Sequence, residues 1–248
     1  MESGKDAYGH IIWNSFKGLT SFDVVERDDG YVNVDQNVKL YFAGYKDWKE
    51  HEKRAIKLAR GRVLDVGCGA GRILLYLQKN GHKVTGIDTS PLAIKVCKLR
   101  GAKDARIMAI EEIGKFKPSS FDSVVMLGYN FGLFGSMKKA KYLLRAMYKI
   151  TSDGAVIIAE TRDPYLTDNP VHFQYHKMNK RRGRMPGQLR LRVRFMQYAT
   201  DWHDYLYVSK PEMKELLSDT GWRAKRFIDA DGHRENGLYI AIIAKTAR

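Results

Sequence analysis

Apolar residues fall along the chain in short runs with two alternating spacings, separated by glycine and polar stops. Seven runs, 63–66, 83–87, 106–110, 121–127, 155–161, 222–228 and 238–245, are short and compact and predict strands, most of them buried. Helical spacing fills the stretches between them. Arg72 to Lys79 stops at Asn80-Gly81, and Ser90-Pro91 caps a helix whose buried stripe is Leu92, Val96 and Leu99. The stretch 137–150 places Ala140, Leu143, Leu144, Met147 and Ile150 on one face, and Ser209 with Glu212 forms a capping box for a helix reaching Thr220. Strand and helix in regular alternation predict an α/β fold with a mostly parallel sheet and a closing hairpin, its last strand antiparallel.

Two stretches interrupt this rhythm. Residues 1–46 show no period but carry enough aromatic and aliphatic mass to pack, and Asp47, with Glu50 three positions on, predicts the N-cap of a helix holding Trp48, Ala55, Leu58 and Ala59 inward. Residues 162–208 are too long for a simple connection. Within them Leu189 to Phe195 alternates strictly, setting Arg190, Arg192 and Arg194 on one face of a strand and four apolar residues on the other. A second strand over 202–208 is expected to pair with it, with Asp201 and Asp204 as partners for the arginines, and 180–187 reads as a flexible basic loop. The expected organisation is an extension and cap helix over 1–60, a core over 61–161 and 209–248, and an inserted basic hairpin over 162–208.

The candidate chemistry centres on Asp65-Val66-Gly67-Cys68-Gly69-Ala70-Gly71-Arg72. A strand, a glycine-rich turn and a helix N-terminus form a nucleotide-binding device. A dinucleotide fingerprint needs its last glycine where Arg72 stands, which disfavours a nicotinamide enzyme. Asp65 suits a ligand with a cationic amino group, and Asp88, closing the second strand, has the spacing of a carboxylate that grips ribose hydroxyls. Ribose and an amino group without a pyrophosphate describe S-adenosylmethionine.

On these residues the chain resembles the class I S-adenosylmethionine-dependent methyltransferases over 61–161 and 209–248. The resemblance implies a Rossmann-like three-layer sandwich whose mostly parallel seven-stranded sheet has its last strand antiparallel, with a β-rich insertion. It implies that Asp65 and the turn Gly67, Cys68, Gly69, Gly71 and Arg72 take the methionine part of the cofactor, and S-adenosylhomocysteine leaves as product. Asp88 would hold the ribose, Thr89 would lie beside the adenine, and Leu127 and Gly128 would line the donor. Many relatives place an aspartate for the adenine where this chain has Ala109. Here Glu111 or Glu112, or backbone groups alone around Ile110 and Glu111, would serve. Tyr41 or Trp48 would cover the cofactor, as N-terminal segments do in such proteins. The Asn/Asp-Pro-Pro-Tyr/Phe tetrapeptide of amino-group enzymes and the Pro-Cys nucleophile of cytosine-C5 enzymes are both missing after the fourth strand, where Tyr129 and Asn130 stand instead.

Composition narrows the acceptor. The chain has 248 residues and a formal charge of +15, and the stretch 169–200 holds eight lysines and arginines with no acidic residue. Such a concentration favours an anionic partner. Three readings compete for Arg190, Arg192 and Arg194: a solvated face with internal ion pairs, a small acidic or phosphorylated acceptor, or an RNA backbone. A small anionic molecule is preferred to RNA, and a non-catalytic cofactor-binding protein is the third class. His172, His176, His203 and His233 are candidate bases, with His203 first because aspartates flank it. No apolar run has the length of a membrane span and the first residues have no signal core, so the cytoplasm is expected. Two cysteines, one in the turn, suggest neither a disulfide nor a metal site.

Overall fold

A computed structural model describes residues 3–36, 38–232 and 237–246. His233, one of the candidate bases, lies outside the described residues. The strands run in the order β1 Asp23–Arg27, β2 Val32–Asp35, β3 Arg62–Val66, β4 Lys83–Asp88, β5 Ala105–Ile107, β6 Phe121–Met126, β7 Thr151–Arg162, β8 Gln188–Phe195, β9 Tyr198–Ala199, β10 His203–Leu206, β11 Trp222–Asp229 and β12 Leu238–Lys245. The helices are α1 Ala7–Phe16, α2 Glu50–Ile56, α3 Arg72–Lys79, α4 Pro91–Leu99, α5 Met137–Ile150, α6 Pro170–Arg181 and α7 Lys210–Leu217. Seven strands form one sheet in the order β11-β12-β7-β6-β3-β4-β5, and β10-β8-β1-β2 form a second, with β9 on β8. The pairs β4–β5 and β6–β7 are parallel, whereas β12 runs antiparallel to both β7 and β11. This is the α/β architecture expected.

Contacts divide the chain into two compact units. One comprises Met1–Trp48, Leu64–Ile110 and Arg190–His203; the other comprises Lys49–Val63, Glu111–Leu189 and Asp204–Arg248. In the first, Ala7, Ile11, Val38, Val193 and Phe195 form a buried cluster, and Ile12 packs with Ala70, Ala93 and Val96 of the glycine turn and α4. The N-terminal stretch is therefore well structured. Its α1 has no clean period because Gly9 interrupts it, and the structure gives the reason. A Cβ at Gly9 would lie 2.3 Å from the Asp6 carboxylate and 2.4 Å from Ser90 Oγ. Asp6 caps α1 through the Gly9 N–H at 2.9 Å and also accepts from Ser90 Oγ at 3.0 Å, tying the two helix starts together.

Several expected boundaries move. Asp47 ends a 3-10 turn, and α2 starts at Glu50 with Glu52 closing the box onto Lys49. Trp48 and Ala55 are buried as expected, but Leu58 is 38% exposed. The strand expected over 106–110 stops at Ile107, because the chain turns into a 3-10 stretch that buries Ile110 and Ile113. Helix α7 ends at Leu217 rather than Thr220. Part of the expected basic loop is helical: α6 runs to Arg181, capped at its start by Asn169 with Pro170 in the first turn, and Gly183 follows at φ 70°.

The alternating strand is β8, with Val193 and Phe195 buried. Its neighbours are β10, as expected, and β1 from the N-terminal stretch, which sequence did not suggest.

Candidate active site

The strand β3 delivers Asp65 into a fully buried position and then gives way to the glycine turn. Gly67, Gly69 and Gly71 all take positive φ, 72°, 50° and 84°, a region that side chains with a Cβ rarely enter. At Gly71 space also forbids a side chain, since a Cβ would lie 2.6 Å from Cys97 Sγ. The N–H groups of Gly67 and Cys68 bond the Ile87 carbonyl at 2.9 and 3.0 Å, holding the turn against the end of β4. Asp88 then fixes it from the other side. Its carboxylate accepts from the Gly69 N–H at 2.9 Å and from the Ser90 N–H at 2.9 Å.

Two carboxylates therefore flank one turn, and both have perturbed protonation. Burial pushes the Asp65 carboxyl up to about 7 against the pull of Arg72, and its Oδ2 is buried with no hydrogen-bond partner. Burial also raises Asp88, partly offset by the N–H groups of Ser90 and Gly69. A buried carboxylate oxygen without a partner costs free energy unless a ligand completes it. The turn supplies close backbone approach, and the acids supply acceptors for a cation and for hydroxyls. These residues fit a nucleoside ligand that carries an ammonium group.

Other members of the expected set take different roles. Tyr41 packs between the two buried clusters of its unit, and its hydroxyl is raised by burial, by Tyr8 and by the carboxylates of Asp23, Asp35 and Asp88. Trp48 is buried, donates Nε1 to the Ala43 carbonyl at 3.0 Å and has the Arg72 guanidinium 4.8 Å from its ring centre. The Cys68 thiol is raised by its hydrogen bond with Cys97 and by burial, and both cysteines are free and buried. Thr89 is exposed and Ile110 buried. The Glu111 carboxylate pairs with Lys139, so as an adenine acceptor it would have to share or release that lysine.

In the second unit the end of β6 passes Leu127, which is buried, into Gly128 and Tyr129. Tyr129 sits at φ 65°, an unusual conformation for a bulky residue. The amides at this turn are held by Glu160, a charge in the apolar strand β7. Its Oε2 accepts from the N–H groups of Gly128 and Tyr129, and its Oε1 meets His51 Nε2 at 2.9 Å. Glu160 and His51 are 2% and 1% exposed. Burial alone would raise Glu160, but His51 and the two N–H groups hold its carboxyl below the ordinary range. The Tyr129 carbonyl accepts from Tyr205 Oη at 2.7 Å and from the Gly132 N–H at 2.9 Å. Asn130 opens the 3-10 stretch Asn130–Phe134 that follows. Sequence reasoning missed His51 and Glu160; the only signal was one acid among the alanines, valines and isoleucines of β7.

Two arginines of β8 find a partner that sequence did not suggest. Arg192 makes a two-pronged contact with Glu26 at 2.8 and 3.1 Å and stacks on Trp202, and Arg194 reaches the same carboxylate at 3.5 Å. Asp201 pairs with Lys5 at 3.2 Å, and Asp204 accepts from Gln188 Nε2 at 3.5 Å. Arg190, whose carbonyl receives the Asp28 N–H, continues the same strand. The internal ion-pair reading holds for Arg192 and Arg194. His203 Nδ1 lies 3.1 Å from the Asp201 backbone oxygen. His172 bonds Thr167, and His176 is packed between Tyr165 and Phe173.

A family profile described as a methyltransferase domain matches residues 64–159. A ubiquinone biosynthesis O-methyltransferase of Xylella fastidiosa is 37% identical over 83 residues, 32% of this chain and 34% of that protein. One from Dechloromonas aromatica is 42% identical over 86 residues, 33% of this chain and 36% of that protein. The chain thus spans about a third of the length of the curated relatives it matches. A crystal structure of an S-adenosylmethionine-dependent methyltransferase from Bacteroides fragilis, in complex with S-adenosylhomocysteine, superposes over 100% of this chain and 98% of that one. Its TM-score is 0.83 at 25% identity. A didemethyltoxoflavin N1-methyltransferase of Burkholderia thailandensis shares the fold, with TM-score 0.54 at 15% identity over 82% of this chain and 81% of that one.

Proposed function

We propose that this chain, which belongs to the class I S-adenosylmethionine-dependent methyltransferases, moves the methyl group of that cofactor to a small anionic acceptor. The observation that carries the reading is the turn of three positive-φ glycines held between Asp88 and the buried, half-satisfied Asp65. Asp65 would take the cofactor's amino group, Asp88 the ribose hydroxyls, and Tyr41 would cover the ribose side. When bound, the cofactor supplies a methyl group already activated by a sulfonium. The protein's own residues then orient and exclude water. Asp88 rigidifies the turn through the Gly69 N–H, and Glu160 fixes the Gly128-Tyr129 backbone. His203, Tyr129 and Asn130 are retained as proposed acceptor-side groups.

The ionisation of Asp65 gives a pH signature. A carboxyl raised to about 7 is neutral in slightly acid solution, and a cationic ligand prefers it ionised. Cofactor affinity should therefore rise as pH increases from 5.5 to 7.5, by up to about tenfold per unit below the carboxyl's own value. Titrations in two buffers of different ionisation heat should detect proton release on binding. In Asp65→Asn the pH slope should vanish along with most of the affinity.

Two observations favour a small acceptor over RNA. The curated relatives are O-methyltransferases of ubiquinone biosynthesis, and Arg192 and Arg194 are engaged with Glu26. A labelled-methyl assay with separated small-molecule and RNA fractions of a cell extract tests the point. Label should enter the small-molecule fraction. Label entering RNA, with tRNA binding that weakens steeply as salt rises, would replace this acceptor by RNA.

A further inference from the structure

Arg162 is the one arginine of β7, and it ends that strand two residues after Glu160, on the same face. Glu160 is committed to His51 and to the N–H groups of Gly128 and Tyr129. Arg162 is half-buried, and among the described residues it makes no ion pair; its Nε is buried without a hydrogen-bond partner. A buried N–H donor without an acceptor is costly, and such groups are ordinarily paired. Its surroundings are aromatic. The guanidinium lies 5.8 Å from the centre of the Tyr129 ring. Tyr207 stands 6.3 Å from Tyr129, ring to ring, and Tyr205 stands 5.7 Å from Tyr207 at nearly a right angle. Burial raises the Tyr207 hydroxyl, with smaller contributions from Tyr129, Arg162 and Glu160.

Two of these aromatic residues are held in place independently of any ligand. Tyr205 is pinned by its hydroxyl to the Tyr129 carbonyl and packs flat on Gly132, where a Cβ would lie 2.0 Å from the ring. Tyr129 is fixed through its own N–H to Glu160. A planar fork of donors beside rigid aromatic faces matches a flat anion: the fork takes the carboxylate or phenolate oxygens, and the rings take the aromatic face. We propose that Arg162, with Tyr129 and Tyr207, forms an acceptor subsite for an aromatic carboxylate or phenolate. This deepens the methyl-transfer reading above and rests on it for calling the ligand an acceptor.

The test is calorimetric titration of the full chain with 4-hydroxybenzoate, 4-hydroxybenzamide and cyclohexanecarboxylate, with S-adenosylhomocysteine titrated alongside. Wild type should bind 4-hydroxybenzoate at least tenfold more tightly than the neutral amide or the non-aromatic acid. Arg162→Gln should weaken that binding tenfold or more and leave S-adenosylhomocysteine affinity within twofold. Arg162→Lys keeps the charge and the packed stem but loses the fork, and should fall between them; it also serves if the glutamine variant does not fold. Equal binding of acid and amide, no binding of 4-hydroxybenzoate to wild type, or full affinity in both variants would overturn the subsite. Loss of S-adenosylhomocysteine binding from wild type would instead remove the methyl-transfer reading and leave the anion subsite standing on its own titration.

Discussion

Glu160→Ala is expected to lower the free energy of unfolding by several kcal/mol, at about 1–3 kcal/mol for each buried donor left without its acceptor. Three groups lose their partner at once: His51 Nε2 and the N–H groups of Gly128 and Tyr129. None of them is replaced by water without cost, since Glu160 and His51 are almost wholly buried. Glu160→Gln keeps the volume and one acceptor oxygen, and should cost roughly 1–3 kcal/mol. Urea unfolding of both variants and of His51→Ala checks this, and a double-mutant cycle should give a clear coupling between positions 51 and 160. The pH dependence has a definite sign. The Glu160 carboxyl is held below its ordinary value, so its contribution is fully present above the unfolded carboxyl's value and disappears as pH falls through the folded one. The acid limb of the stability curve should therefore be steeper in wild type than in Glu160→Gln.

Asp88→Ala should reduce cofactor affinity by a hundredfold or more. Its carboxylate is both the proposed ribose acceptor and the clamp on the Gly69 N–H. The loss of that clamp and of the Ser90 N–H bond means that folding does not stay untouched, and a stability loss of about 1–3 kcal/mol should accompany it. The two effects separate in experiment. Affinity measured well below the melting temperature reports the site, whereas the urea midpoint reports the clamp. Unchanged affinity by calorimetry would take Asp88 out of the binding set.

Local patterns in the sequence account for the elements that sequence found. Ser90-Pro91, Ser209 with Glu212, and the faces of α5 and β8 each express a period or a cap within a few residues. The glycine turn was legible for the same reason, because Asp65, Gly67, Gly69, Gly71 and Asp88 carry their meaning in their spacing. What escaped depends on distant partners. Gly9 breaks the pattern of α1 to make room for Asp6 and Ser90, and Ser90 is 84 positions from Asp6. His51 meets Glu160 across 109 positions, and Arg192 meets Glu26 across 166. A strand's alternation says which face its arginines share but not which acid lies opposite. For that reason sequence proposed Asp201 and Asp204, and the acid that Arg192 and Arg194 meet is Glu26.

The helix α6 shows a different limit. Asn169-Pro170 is a good start signal, and Asn169 does cap Val171. The residues after it carry a weak apolar stripe, with only Tyr175, His176 and Asn179 buried, so basic charge masked the helix. Its last turn carries Lys180 and Arg181, which suit the negative end of the helix dipole.

Calorimetric titration of the wild-type chain with S-adenosylhomocysteine at pH 7.5 tests the central claim most directly. The account predicts one-to-one binding with a defined heat, lost in Asp88→Ala and strongly weakened in Asp65→Asn. A wild-type chain that gives no heat and no thermal stabilisation at millimolar S-adenosylhomocysteine or S-adenosylmethionine would contradict it.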